Sequence, residues 1–441
     1  MVMKVRNIYL FVVLFLMGFE NLNFPGDVPE GSERTSKTLI VNGDFEQPHW
    51  QYAYGQPWRD EMKSTGMYAV PGEKIMVTVP VDVLNKGVKV LIGVHLDDLS
   101  RKENPKRDPI VTARKELVKE DVRKISRNMA SIEFHNKYGG LIYMLIPTGS
   151  TLGDFEVTVS NAVKAPHFVL GEMTNEEWIE EHSKNPAPWA ELETSKMILT
   201  LRSTHVRNME DPIRLMEFWD RVLDADADLA GFDRESRARA ERIAIDDEIS
   251  MGWMHSGYPM MAYTEGVAAN LVNYERLSTQ GDWGFFHELG HNHQWMDWVL
   301  DGTTETSCNL FSIYVLEKVV GMEDGGHSAI SPEAREERRR KHFENGAKLE
   351  NWNVWVALET MLMVKEAFGW EPYTRMFQRY MTFTTRPKDN FEKIDWFVKY
   401  LSMETEHNLA PFFEYWGVPV SDSVENELKD YPVFENYFFS Q

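Results

Sequence analysis

The chain has 441 residues, enough for about two to four domains of ordinary size. Hydrophobic residues make up 43% of it and charged residues 26%, which is typical of soluble globular proteins. The net charge of −22 at pH 7 argues against a broad basic face for phosphates, so we expect no nucleic-acid partner. The single cysteine, Cys308, excludes an internal disulfide framework and a cysteine-rich metal site.

The N-terminus has the pattern of a secretory signal peptide. Lys4 and Arg6 precede an apolar run over residues 8–19, which is too short to cross a hydrocarbon core of ~30 Å comfortably. We therefore predict a signal peptide over 1–20 with a weak cleavage site, no stable transmembrane span, and a secreted, cell-surface or periplasmic location. A membrane tether and a buried N-terminal element are the alternatives. Residues 21–37 contain prolines, glycines and polar residues that favour a linker.

Short β-rich runs alternate with turn residues between 38 and 165. Many short strands separated by turns are typical of a sandwich or a barrel, so this region predicts a β-sandwich-like module. The runs are 38–41, 75–79, 88–94, 132–134, 141–147 and 155–159.

After Asp211 the spacing of apolar residues becomes that of α-helices. One further strand is predicted at 197–201, before this change. The basic cluster over 335–341 alternates with glutamates and is interpreted as a solvated helix face. The predicted helices are 283–298, 304–320, 332–348, 353–368, 372–381, 390–403 and 409–416.

The strongest chemical signal is His287-Glu288-Leu289-Gly290-His291. Residues four apart lie above one another on a helix, so His287 and His291 can present two imidazoles to one ion. Glu288 is turned about 100° away, close enough to take a proton from a metal-bound water without acting as a ligand. Two imidazoles and a carboxylate suit Zn²⁺ and leave a fourth position for that water.

The third ligand must come from another part of the chain. Glu305 follows a short turn-like segment and would lie in the first turn of the next helix, within reach if the two helices pack antiparallel. From spacing alone, four other residues remain alternatives. They are Asp297, Asp301, His293 and Glu317. Cys308, one turn from Glu305, is interpreted as a buried packing residue because thiolate ligation would not suit a hydrolytic site.

These residues lie within a longer pattern that resembles the enhancin-like, mucin-degrading zinc metallopeptidases (peptidase family M60, gluzincin type). That family's motif is followed by a glutamate, which here is Glu305. The pattern is also similar to the corresponding module of animal channel-associated factors. The resemblance extends from about residue 40 to 420 and is carried by 65–73, 136–143, 187–193, 252–259 and 411–419.

The resemblance completes the fold prediction. It implies an α+β multidomain chain in which the N-terminal β-sandwich-like module precedes a mainly helical zincin catalytic domain. The core of that domain, with the HExxH helix, covers 166–325, and its C-terminal helical part covers 326–441.

The resemblance also implies a chemistry: one Zn²⁺ on His287, His291 and Glu305, with Glu288 as general base. The implied activity is a metallopeptidase that cleaves glycoproteins, often O-glycosylated mucins. Fourteen tryptophans add an expectation of glycan contact, since aromatic rings stack on sugars. His255 and Tyr258 lie in a stretch expected to border the cleft, and either would hydrogen-bond an oxyanion or only shape the pocket wall.

Two other functions stay open from the sequence. The first is a non-catalytic interaction protein that keeps the fold to bind a membrane protein or a glycan. The second is a different metal-dependent hydrolase, because the motif specifies an activated water rather than a peptide substrate.

Overall fold

The computed structural model describes residues 24–46, 60–322 and 325–435. It has the predicted α+β architecture: a curled N-terminal β module is followed by a region of helices built around a second sheet. No helix within the described ranges is long and apolar enough to cross a membrane. The predicted signal peptide at 1–20 lies outside the described residues.

The N-terminal module is a nine-stranded antiparallel sheet in the order β5-β4-β8-β2-β9-β3-β7-β6, with β1 paired to β9. All six predicted runs fall on strands; β2, β5 and β6 were not among them. The strands are β1 (Thr35–Phe45), β2 (Glu61–Ala69), β3 (Lys74–Pro80), β4 (Lys89–Ile92), β5 (Ala113–Glu116), β6 (Val122–Ser126), β7 (Met129–His135), β8 (Gly140–Ile146) and β9 (Ser150–Lys164).

Strand β8 is buried along its whole length because each of its faces covers a different core. Ile142, Met144 and Ile146 lie in the core of the N-terminal module. The alternate residues Tyr143 and Leu145 lie in a second core that also includes residues of the helical region. Side chains alternate across a strand, so one strand joins the two halves of the protein.

The helical region contains a six-stranded mixed sheet in the order β10-β11-β12-β13-β15-β14. The sequence located only β12, because the other strands are short and β13 carries the charged residues Glu241 and Arg242 inside a fully buried run. In this sheet β14 is an edge strand, paired antiparallel to β15. The strands are β10 (His167–Val169), β11 (Trp189–Glu193), β12 (Met197–Arg202), β13 (Glu241–Asp246), β14 (Met254–His255) and β15 (Met260–Tyr263).

All seven predicted helices are present, although the one predicted at 283–298 ends at His293. Gln294 leaves the helix with φ −70° and ψ 138°, since its side chain bonds back to residues on both sides of it. The α-helices are α1 (Asn175–Glu177), α2 (Pro212–Ala230), α3 (Thr264–Leu271), α4 (Tyr274–Gln280), α5 (Trp283–His293), α6 (Thr304–Val315), α7 (Pro332–Glu344), α8 (Val354–Phe368), α9 (Glu371–Met381), α10 (Asn390–Thr405), α11 (Ala410–Tyr415) and α12 (Asp422–Leu428).

The basic cluster on α7 differs from its interpretation as a solvated face. Arg335, Arg338 and Arg339 surround the carboxylate of Glu359, whose side chain is fully buried on α8. Arg340 and Lys341 do form the expected exposed pairs with a glutamate of their own helix. Alternating charge signs alone do not show that a neighbouring helix carries a buried acid facing them.

The first described residues of the predicted linker, 24–26, are packed against the fold. Phe24 is only 8% exposed, and the Pro25 carbonyl accepts a 2.7 Å hydrogen bond from the Trp189 indole on β11. The Gly26 carbonyl accepts a 2.6 Å bond from the Tyr68 hydroxyl on β2. These residues therefore lie across both modules, which their Pro- and Gly-rich composition did not indicate.

A buried ion pair and a buried arginine hydrogen bond join the two modules. Arg107, in the loop after β4, donates to the Asp246 carboxylate at the end of β13 with N–O distances of 2.9 and 2.8 Å, and both side chains are fully buried. Arg242 on β13 pairs with Glu191 and also donates to the Met62 carbonyl of β2 at 3.1 Å. The helical region is consequently held in a fixed position against the N-terminal module.

Candidate metal centre

Helices α5 and α6 carry the candidate metal centre and pack unusually closely. Asp282 caps α5, since its carboxylate accepts the Gly284 N–H at 3.1 Å. At Gly290 an added Cβ would lie 2.5 Å from the Cys308 carbonyl oxygen and 3.0 Å from the Phe311 Cβ. Only glycine fits this close approach, which brings the first turn of α6 beside the two histidines of α5.

Three of the predicted ligands meet between these helices. The Glu305 Oε2 atom lies 3.0 Å from His287 Nε2 and 3.3 Å from His291 Nε2. The histidine side chains are 17% and 5% exposed, whereas Glu305 is 57% exposed and closes the group toward solvent. One ligand atom from each residue and from Cys308 lies within 4.8 Å of all the others, so a single ion fits among them.

Two amide side chains orient both imidazoles for a metal. Asn309 Nδ2 donates to the Glu305 carbonyl at 2.7 Å, so its Oδ1 must accept from His287 Nδ1, also at 2.7 Å. Gln294 Nε2 likewise donates to the Thr304 carbonyl, and its Oε1 accepts from His291 Nδ1 at 2.8 Å. Each ring is thereby protonated at Nδ1 and directs the Nε2 lone pair at the shared position, as ligating histidines do.

The charges around this position favour a cation. The contacts that the Glu305 carboxylate makes with the His287 and His291 rings hold its pKa well below the usual range. Burial would lower the pKa of His287, but its contact with Glu305 raises it overall. A donor set of two imidazoles and a carboxylate that attracts positive charge fits Zn²⁺.

Cys308 and Glu288 border the group in different ways. Burial raises the pKa of the Cys308 thiol well above its ordinary value, and its Sγ lies 3.5 Å from His287 Nδ1 and 3.8 Å from His287 Nε2. The thiol is therefore held in its neutral form beside the ring, whereas the thiolate is the form that binds a metal. Burial also raises the pKa of Glu288, although both neighbouring histidines oppose this shift. A carboxylate of raised pKa suits proton transfer.

The alternative ligands are engaged elsewhere. Asp297 is paired with Arg386 at 2.9 Å, and Glu317 accepts a 2.7 Å bond from the Trp370 indole. His293 is buried, with Nδ1 donating to the Leu289 carbonyl at 2.7 Å. Asp301 is 72% exposed, with a lysine 3.8 Å away. Glu305 is therefore the carboxylate that the fold brings to the histidine pair.

His255 and Tyr258, the two residues expected to border the cleft, have different surroundings in the structure. His255 lies on β14, which contacts α5, and its charge interacts with that of Glu288. Tyr258 is only 2% exposed; its hydroxyl accepts the Met62 N–H of β2 at 3.1 Å, and its ring packs against the Arg239 guanidinium. It lines a cavity of about 640 Å³ between the modules, so its contacts favour a pocket wall over an oxyanion donor.

Comparison with known families places both modules. The model described as "Peptidase M60, enhancin and enhancin-like" matches residues 161–417, more than half of the chain. The chain belongs to the Peptidase M60 family. The model for the N-terminal domain of M60-like peptidases matches residues 54–160 of this M60 chain.

Curated relatives of this M60 chain are named as channel-associated factors rather than as peptidases. TRPM8 channel-associated factor 2 of Mus musculus is 40% identical over 381 residues, covering 86% of this chain and 40% of the relative. The chain thus spans about two fifths of the length of the curated relatives it matches.

Solved structures share the fold at lower identity. A functionally unknown conserved protein of Bacillus anthracis, solved as a mutant, superposes with a TM-score of 0.70 at 22% identity, covering 91% of this chain and 80% of that one. IMPa from Pseudomonas aeruginosa, solved in complex with an O-glycopeptide, gives 0.60 at 17% identity, covering 92% and 52%.

Sequence reasoning missed three residues that support the centre. Asn309 stands four residues after Glu305, and Gln294 stands three after His291, so helical spacing could have revealed both. Asp97 bonds to His255 from the other module and gives no local signal.

Proposed function

We propose that this M60 chain is a zinc-dependent endopeptidase that hydrolyses peptide bonds of glycoproteins, with O-glycosylated mucin-type proteins as its substrates. The observation that carries the proposal is the convergence of His287, His291 and Glu305 beside Glu288. Zn²⁺ bound there would polarise the scissile carbonyl and lower the pKa of a water at the open fourth position.

The protein's own groups supply the proton transfers. Glu288, with its raised pKa, accepts a proton from the attacking water and then donates it to the leaving amine. Asn309 and Gln294 keep the two histidine rings in place during turnover. His255 contributes positive charge near the carbonyl oxygen as negative charge develops on it.

The substrate class rests on weaker support than the chemistry. IMPa, which shares this fold, has been solved with an O-glycopeptide, and that property is carried over to this chain as part of the proposal. Trp253 is 65% exposed beside β14 and offers a ring on which a sugar can stack. The basic and apolar N-terminal pattern favours secretion or cell-surface or periplasmic display, where such glycoproteins occur.

A second candidate function is binding without catalysis. The channel-associated relatives are 40% identical to this chain, and their name describes association with a channel rather than cleavage. On this alternative the chain binds a membrane protein or a glycan through the same fold, and Glu288 has no chemical task.

The deciding experiment is mass spectrometry of an O-glycosylated mucin-type protein incubated with the zinc-loaded chain. The same incubation is carried out with the Glu288→Ala variant and with a chelator-treated sample. The matched control is Glu176→Ala, which replaces an exposed glutamate on α1. New peptide termini produced by the wild type and by the control alone support the peptidase. Absence of cleavage in every sample, including the wild type with one equivalent of bound zinc, favours the binding function.

A further inference from the structure

A loop of the N-terminal module packs against the helical region next to β14, the strand that contacts α5. This loop, residues 93–112, follows β4 and forms several hydrogen bonds with residues 246–256, which run from the end of β13 through β14. Lys102 donates to the Ile249 carbonyl at 2.6 Å, and Arg107 binds Asp246 through two nitrogens. The Arg107 guanidinium also donates to the Asp97 carbonyl at 3.2 Å, which fixes the backbone of that residue.

The Asp97 side chain connects this loop to His255. Its Oδ2 atom accepts from His255 Nε2 at 2.8 Å and from the Ser250 N–H at 2.6 Å. The other ring nitrogen of His255, Nδ1, faces the Ser256 carbonyl oxygen at 3.0 Å. Both ring nitrogens therefore meet oxygen acceptors, an arrangement that favours the imidazolium form.

On its other side, the segment that carries His255 is held by α5, the helix of the two histidines. Asn292, directly after the ligand His291, accepts the Gly257 N–H and donates to the Gly257 carbonyl, both at 3.0 Å. The same amide donates to Glu241 on β13 at 2.8 Å. The segment is thus held from α5 on one side and from the N-terminal module on the other, with His255 between them.

We propose that Asp97 is a positioning residue of the metal centre, which acts by fixing the His255 ring beside Glu288 from the N-terminal module. The carboxylate orients the ring and balances its positive charge, and the ring then stabilises negative charge on the substrate. Burial would lower the pKa of His255, yet the Asp97 carboxylate raises it overall. The proposal deepens the proposed peptidase function and rests on it for its kinetic consequence.

The first test is a double-mutant cycle on the full zinc-loaded chain. Asp97→Asn is combined with His255→Gln, and Asp98→Asn is the matched control, since Asp98 is the exposed neighbour that bonds only within its own loop. We expect Asp97→Asn to lower kcat/KM by about 10- to 100-fold, mainly through kcat, with zinc content unchanged. Once His255 is replaced, removing Asp97 should cost nothing more. Additive losses, or loss of zinc and melting temperature in Asp97→Asn, would overturn the positioning role.

The second test needs no turnover. Diethylpyrocarbonate modifies neutral imidazoles, and peptide mapping reports the extent of reaction at His255, whose side chain is 22% exposed. Asp97→Asn should raise that reaction severalfold while Asp98→Asn leaves it unchanged. Unchanged labelling in Asp97→Asn contradicts the inference. If wild type and Glu288→Ala are both inactive, the peptidase proposal fails, and the labelling alone decides whether Asp97 holds His255.

Discussion

Replacing Gly290 by alanine tests whether the close approach of α5 and α6 builds the metal centre. A Cβ at this position would lie 2.5 Å from the Cys308 carbonyl oxygen, whereas ordinary contact begins near 3.4 Å. The helices must therefore separate by roughly 0.9 Å, because a backbone carbonyl within a helix cannot rotate away. Glu305 lies one turn before Cys308, so it moves with α6.

The energetic expectation follows from two opposed terms. Overpacking of this kind costs about 1–3 kcal/mol. Alanine in place of glycine within a helix gains about 1 kcal/mol. Gly284→Ala on the same helix provides the matched control: its Cβ would lie 3.1 Å from the flexible end of Met254 and 3.4 Å from the Asp282 Oδ1 atom. The propensity gain cancels between the two variants, so Gly290→Ala should be less stable than Gly284→Ala by about 1–3 kcal/mol.

Zinc binding should distinguish the variants more sharply than stability does. Zn²⁺–ligand distances tolerate deviations of about 0.2 Å, and the required separation exceeds this severalfold. Urea unfolding measures the first difference, and competition with a chelator of known affinity measures the second. The reasoning is refuted if Gly290→Ala equals Gly284→Ala in both stability and zinc affinity, since the helices would then not determine the position of Glu305.

Three further outcomes are expected. Asn309→Ala should weaken zinc binding by about 10- to 100-fold while helix content is retained, because His287 loses the acceptor that fixes its ring; isothermal titration with Zn²⁺ measures this. Arg107→Met should lower the free energy of unfolding by about 3–5 kcal/mol, since the buried Asp246 carboxylate loses its partner, whereas the exposed Arg101→Met should be near neutral in the same denaturant titration. Saturating Zn²⁺ at about 1,000 times its Kd should stabilise the folded chain by about 4 kcal/mol, and a chelator should abolish that gain in a thermal scan; an equal gain in His287→Ala would place the ion elsewhere.

The parts of the site that the sequence predicts are those encoded locally. His287, Glu288 and His291 share one helix, so their geometry follows from the helical period alone. Glu305 follows after one turn-like segment, and antiparallel packing of two adjacent helices brings it back. The second sheet was largely missed because its strands have only two to six residues, and a strand buried on both faces, such as β13, shows no alternation of apolar and polar residues.

The parts that could not be predicted depend on distant pairing. Asp97 and His255 are separated by 158 positions and belong to different modules, and their meeting requires the docking of one loop on another. Tyr258 looked equivalent to His255 in the sequence, yet its ring turns toward Met62 and the cavity between the modules. Orientation of this kind is fixed by tertiary contacts, which no spacing rule contains.

The two buried faces of β8 determine whether the two modules of this protein can be separated. The two family models meet between residues 160 and 161. One hydrophobic core nevertheless contains side chains from both sides of this boundary, among them Tyr143 and Leu145 of β8. A chain restarted at 161 would present Arg242 and Asp246 without the partners that the first module gives them, on a surface that Tyr143 and its neighbours normally cover. We therefore expect a chain that begins at 161 to be less stable than the full chain, and expression plasmids should include both modules.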